Sequence, residues 1–143
     1  MNKAFTLLEL VFVILILGIL SSLALSFTNI RKDEVQMLKL KMDYELLNSA
    51  LALMRTQMKL KNLNFVEILD KAKNNQAKEK LFYCTDCAYS LLDTPIYSDF
   101  KAWMKIAKNH YSFSLNAKEK IEFIYDSKEG LLKCLGMRCK DLN

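Results

Sequence analysis

The 143 residues include a single proline (Pro95), three glycines and a single histidine (His110). So few glycines leave no Gly-rich loop to cradle a phosphate. One histidine, with no nucleophile elbow beside it, leaves no standard catalytic constellation to assemble. No D-x-D-x-D-G run offers a calcium loop. His110, next to Asn109, reads as a surface or edge residue. Charge is dispersed as well: 21 basic and 16 acidic residues give a net charge of +5. There is no arginine-rich arm and no basic run, so the balance reads as a solvated basic surface rather than a nucleic-acid site.

The most informative absence is a local one. No charged residue lies between Leu10 and Ile30, about the length needed to cross ~30 Å of hydrocarbon as a helix. Roughly fourteen Leu, Ile, Val or Phe residues fall in this stretch, each favouring insertion by about 0.3–0.6 kcal/mol at the centre. Glu9, at its edge, does not reverse that sum. From Arg31 onward the chain is polar enough for water and long enough for a small core.

The chain begins Met1-Asn2-Lys3-Ala4-Phe5-Thr6-Leu7-Leu8-Glu9-Leu10. A secretory signal cut at Ser22-Leu23-Ala24 or Ala24-Leu25-Ser26 is one reading, but its apolar run would be too long and an acid interrupts it. Thr6-Leu7-Leu8-Glu9 is also an S/T-x-x-E capping box, which starts a helix. An ionisable group at the head of an apolar helix is a functional candidate that calls for a partner.

Ala4-Phe5-Thr6-Leu7-Leu8-Glu9 followed by an unbroken apolar run resembles the signal of type IV prepilins and pseudopilins. The resemblance covers about the first thirty residues. It implies cleavage between Ala4 and Phe5 by a prepilin peptidase and N-methylation of Phe5. Ala4 stands where the family usually has glycine. The resemblance also gives Glu9 a role in assembly, neutralising the N-terminal amine of an adjacent subunit. Gly18 matches a glycine common in the family, whereas Ser26 replaces its helix-breaking proline.

No Gly or Pro interrupts Ser21 to Asn62. Val35, Leu38, Met42, Leu46, Ala50, Leu53 and Met54 recur at helical spacing, flanked by Leu47, Leu51 and Met58, and predict a core-packing stripe. One long helix from about Thr6 to Lys61 is expected, half in lipid and half against a head. A helix start is expected at Asn64-Phe65-Val66-Glu67, with Phe65, Ile68, Leu69 and Ala72 on one face. A second short helix is expected over Asp99–Ala107 after a Ser98 cap, burying Phe100, Trp103 and Ile106. Tyr111, Phe113 and Leu115 alternate as a strand, as do Ile121, Phe123 and Tyr125. Ser127-Lys128-Glu129-Gly130 predicts a hairpin turn into Leu131–Leu135. Leu81-Phe82-Tyr83 is a shorter candidate strand.

The four cysteines form C-x2-C (Cys84, Cys87) and C-x4-C (Cys134, Cys139). Two disulfides in any of three connectivities, a four-thiolate zinc site and a redox C-x-x-C are all open, with disulfides the default in an oxidising compartment. Linking one motif to the other would close loops of about 45–55 residues, worth about 4 kcal/mol. Family members often carry C-terminal disulfides.

The expected fold is therefore α+β: a long N-terminal helix, membrane-spanning in its first half, with a small antiparallel sheet packed on its second half. Residues 1–4 are the leader, 5–30 the transmembrane half, and 31–143 the periplasmic part, with helix to about 62 and a globular head over 63–143. The resemblance implies a non-enzymatic pseudopilin or minor pilin without cofactor, serving type II secretion or DNA uptake. It would sit in the inner membrane by a single pass, head in the periplasm, before assembly into a filament. Its partners would be other pilin or pseudopilin subunits, the prepilin peptidase, the inner-membrane platform protein and the membrane, with DNA or secreted cargo beyond them. The alternative is a single-span inner-membrane protein with a periplasmic four-cysteine zinc or redox domain.

Overall fold

The helix that follows the capping box has no polar face. In the computed structural model, which describes residues 6–27 and 32–142, α1 runs Leu7–Phe27 over 21 residues. Every described side chain on it is exposed, Phe12 at 63% and Leu17 at 55% among them. Two of its described hydroxyls bond to its own backbone: Ser21 Oγ donates to the Leu17 carbonyl at 2.7 Å and Ser22 Oγ to that of Ile19 at 2.9 Å. Such bonds to the carbonyl three or four residues back are a common arrangement for serine within a helix. Among the described residues no helix is long and apolar enough to cross a membrane; the described side chains of α1 end at Ser22. The span expected over Leu10–Ile30 is therefore not shown. Residues 28–31, where one continuous helix was expected, lie outside the described residues. The chain divides there into two units, residues 1–31 and 32–143.

In the second unit, α2 (Lys32–Leu60, 29 residues) buries Leu40, Leu47, Leu51, Met54 and Met58, a single face at three-, four- and seven-residue spacing. It ends because Asn62 turns left-handed (φ 53). The amides of Asn62 and Leu63 then bond back to the carbonyls of Lys59 and Met58, a Schellman closure of the last turn. The expected stripe is corrected in its facing. Val35, Leu38, Met42, Leu46 and Leu53 are 52–66% exposed, because the sheet covers the neighbouring stripe instead.

A two-stranded ribbon, β1 (Lys80–Leu81) with β2 (Ile96–Tyr97), precedes the main sheet. The latter is an antiparallel meander of β3 (Trp103–Ala107), β4 (His110–Ser114), β5 (Lys120–Asp126) and β6 (Leu131–Leu135), in that order. A 3-10 turn, η1 (Met137–Leu142), closes the chain. The α+β arrangement expected from the sequence is present, as are the strands through Tyr111–Phe113 and Ile121–Tyr125. The Ser127–Gly130 turn also forms. Gly130 is required there: its φ is +65, and an added Cβ would meet Arg55 Cγ at 2.9 Å and the Phe65 ring at 3.1 Å.

Neither expected short helix forms. Trp103–Ala107 is paired with β4, and Phe100 is 67% exposed. Ser98 does not cap a helix; its Oγ accepts from the Glu79 amide and donates to the Gln76 carbonyl. Residues 63–79 are irregular because side chains from the sheet take their carbonyls. Tyr125 donates to Val66 O at 2.8 Å and Asn109 Nδ2 to Glu67 O at 2.6 Å, which removes acceptors a helix would use.

Between α2 and the sheet lies an aromatic core. Trp103, buried completely, meets Phe123 at 4.9 Å, Phe113 at 5.3 Å and Phe82 at 5.5 Å between ring centroids. Its indole donates to Asp43 of α2 at 2.9 Å. Beside it is a buried ion pair that no sequence pattern announces. Asp70 Oδ1 accepts from Lys105 Nζ at 2.7 Å and from the Ala72 amide, while Oδ2 accepts from Tyr111 Oη at 2.7 Å and the Phe82 amide at 2.9 Å. The side chains of Asp70 and Lys105 are 0% and 7% exposed. Burial, and then the Asp70 charge, hold the Tyr111 phenol well above its ordinary range. Burial also pushes Tyr125 up to about 12.

Removing the carboxylate in Asp70→Ala leaves Lys105 buried and unpaired, and a loss of about 3–5 kcal/mol is expected. Tyr111→Phe, which deletes one hydrogen bond to a charged group, should cost about 2 kcal/mol. Denaturant titration of the full-length protein in detergent checks both. The raised phenols also set an alkaline limit. Their contribution is complete below about pH 10, where an unfolded tyrosine titrates, and falls as pH rises from there through the folded range, about 12 for Tyr125 and likewise raised by burial for Tyr111. Tyrosinate absorbance followed with circular dichroism should show two late-ionising phenols whose titration coincides with unfolding.

Candidate functional site

Ala4, Phe5 and Glu9 are the residues expected to serve processing and assembly. Ala4 and Phe5 lie outside the described residues. From Thr6 onward the capping box is closed in both directions. Glu9 N donates to Thr6 Oγ1 at 3.3 Å, and Thr6 N and Oγ1 donate to Glu9 Oε2 at 3.4 and 3.3 Å. Leu10 N closes the first backbone turn on Thr6 O at 3.2 Å. This explains locally why the helix begins where it does: two orphan amides are satisfied reciprocally, and an acid sits at the positive end of the helix dipole.

The described bonds of the Glu9 carboxylate all run through Oε2. Capping therefore engages one oxygen, and the other is available geometrically to a cation.

Residues 1–25 match the family model for the prokaryotic N-terminal methylation motif. The chain carries the prepilin-type signal of type IV pilins and pseudopilins. This signal supports membership of the pilin-like family and implies processing by a prepilin peptidase, membrane anchoring and assembly with other pilin subunits. Proteins bearing it are structural subunits. No curated protein and no solved structure matches the chain.

The cysteines close within each motif, Cys84 to Cys87 and Cys134 to Cys139, across separations of 3 and 5 residues. The first pair sits in the loop after β1, and the second ties the end of β6 to η1. The long loops considered for motif-to-motif linkage are absent from this pairing. A four-thiolate zinc site is not assembled: all four sulfurs are consumed in disulfides, and no metal-binding group of three or more His, Cys, Asp or Glu occurs among the described residues. His110 pairs across the strands with Glu122 at 3.0 Å, the surface role expected of it. The sequence reading missed the Asp70–Lys105–Tyr111 cluster and the Arg55 side chain packed on Gly130. Asp70 and Lys105 both fell in stretches read as short helices, and Tyr111 was read only as one inward position of a strand, so nothing in the sequence brought the three together.

The local pairing is checked by tryptic mapping without reductant. Cys84 and Cys87 should remain in one uncrossed peptide, and Cys134 should be linked only to the Cys139 peptide. Each disulfide should contribute about 2 kcal/mol, the loop-closure value for so short a ring; Cys84→Ser with Cys87→Ser would measure it.

Proposed function

We propose that the protein is a pseudopilin or minor pilin, a structural and non-enzymatic subunit of a type IV pilus-like filament serving type II secretion or DNA uptake. The observation carrying this reading is the methylation motif over residues 1–25, headed by the closed Thr6–Glu9 box. In this reading the peptidase cuts between Ala4 and Phe5, and Phe5 is N-methylated. The apolar α1 first holds the subunit in the inner membrane as a single pass, with residues 32–143 facing the periplasm. It then packs into the filament interior through an inner-membrane platform protein, and the head meets DNA or secreted cargo.

Glu9 then has two successive partners. In the membrane its carboxylate caps its own helix through Oε2. In the filament its free oxygen takes the Phe5 amine of an adjacent subunit. Burying either charge alone in the filament interior would cost several kcal/mol, so the pairing sets the axial stagger between neighbours.

Mass spectrometry of the N-terminal peptide, from cells with and without the peptidase, tests the reading. The expected outcome is Phe5 as the N-terminus carrying one added methyl, dependent on the enzyme. A start after Ala24, or an intact Met1, would exclude it in favour of a secreted or single-span protein. Glu9→Ala should leave cleavage largely intact and abolish incorporation into filaments; normal incorporation would overturn the charge pairing.

A further inference from the structure

Lys105 is a buried amine with no part in the processing or assembly proposed above. Its side chain is 7% exposed and that of Asp70 is 0% exposed, with Nζ 2.7 Å from Oδ1. A second bond, to the Asp70 carbonyl at 3.1 Å, fixes the ammonium on the same residue. The Tyr111 ring that reaches Asp70 packs on Phe82 at 4.5 Å, and both rings are fully buried. In water, ion solvation favours a free amine and carboxyl over their amide; burial withdraws that solvation.

The donors around the carboxylate divide between its two oxygens. Oδ1 faces the ammonium and the Ala72 amide. Oδ2 accepts from Tyr111 Oη at 2.7 Å and from the Phe82 amide at 2.9 Å. Two donors converging on one oxygen in a dry site are the arrangement that stabilises an oxyanion. Oδ1, by contrast, lies within direct reach of the protons on Nζ.

We propose that Asp70 and Lys105 condense after folding into an intramolecular isopeptide bond. A proton passes from Nζ to Oδ1 and leaves the amine with a lone pair. That pair forms the Nζ–Cγ bond while electrons move onto Oδ2, where Tyr111 and the Phe82 amide hold the charge. A second proton passes from the nitrogen to Oδ1. The Cγ–Oδ1 bond then breaks with its electrons on oxygen, one water leaves, and Oδ2 returns as the amide carbonyl. Ammonium and carboxylate thus give one amide and one water, with no oxidant, reductant or co-reactant. The fixed contact takes the place of activation, since well-oriented partners reach effective molarities of about 10⁵–10⁸ M. The link joins the irregular segment 63–79 to β3 between residues 35 apart in the chain, and unlike the disulfides it withstands reductant.

Tryptic mapping of the folded full-length protein, reduced and alkylated, tests the bond. The expected product is residues 62–71 joined to 102–108, one water lighter than the two peptides together and uncut after the acylated Lys105. K105R should give linear peptides throughout. Y111F keeps both reacting groups and should slow the appearance of the joined peptide after synthesis about a hundredfold, the effect of removing one oxyanion donor. Recovery of 62–71 and 102–105 as unmodified linear peptides would overturn the bond. Loss of water confined to the 62–71 peptide would also overturn it, as cyclisation of Asp70 on its own backbone. An unchanged rate in Y111F would overturn the role given to Tyr111. The map of the unsubstituted protein decides the bond whether or not the variants fold.

Discussion

The head depends on one buried carboxylate. Asp70 receives four donors, one from its own segment and three from elsewhere in the chain: the amides of Ala72 and Phe82, the Lys105 ammonium and the Tyr111 hydroxyl. Lys105 also donates to the Asp70 carbonyl at 3.1 Å. A charge in the protein interior is tolerated only when its acceptor sites are filled, and here filling them determines where the irregular segment 63–79 lies against β3 and β4. Phe82 illustrates the constraint. Its left-handed backbone, φ 56, is unfavourable for an aromatic residue, yet it directs the amide to Asp70 and places the ring 4.5 Å from that of Tyr111. The ion pair thereby specifies one arrangement of a core that apolar contacts alone would leave less defined.

What was legible in the sequence followed from local chemistry. Thr6-x-x-Glu9 predicted a capped helix start because both halves of the box lie within one turn. The strands through Tyr111–Phe113 and Ile121–Tyr125 were readable because each has one face in the core, giving period-two alternation. Gly130 marked a turn that only glycine fits. What failed was set by distant parts of the chain. Phe100, Trp103 and Ile106 have helical spacing, but pairing with β4 fixes Trp103–Ala107 as strand, and non-local ladders override such coincidences. Asn64–Glu67 resembles a helix start until Tyr125 and Asn109 take the carbonyls of Val66 and Glu67.

The stripe on α2 is an instructive misreading. Two apolar rows run along the helix, one through Leu40, Leu47, Leu51 and Met54 and the other through Val35, Leu38, Met42, Leu46 and Leu53. Periodicity identifies both as apolar but does not say which one the sheet covers. The uncovered row remains a surface that an isolated soluble domain would minimise. Its persistence agrees with a chain whose first unit carries a signal for assembly.

The placement of the disulfides has a mechanical consequence. Each joins residues already adjacent along the chain, so neither fastens α2 to the sheet. Tension carried along α2 would be resisted by the buried face of Leu40, Leu47, Leu51, Met54 and Met58, the Trp103–Asp43 bond and the hydrogen bond from Tyr44 to the Leu132 carbonyl. The two covalent rings would survive such a load intact while the helix peeled from the strands. The covalent rings Cys84–Cys87 and Cys134–Cys139 therefore hold their own loops, and the joint between α2 and the sheet is left to non-covalent contacts.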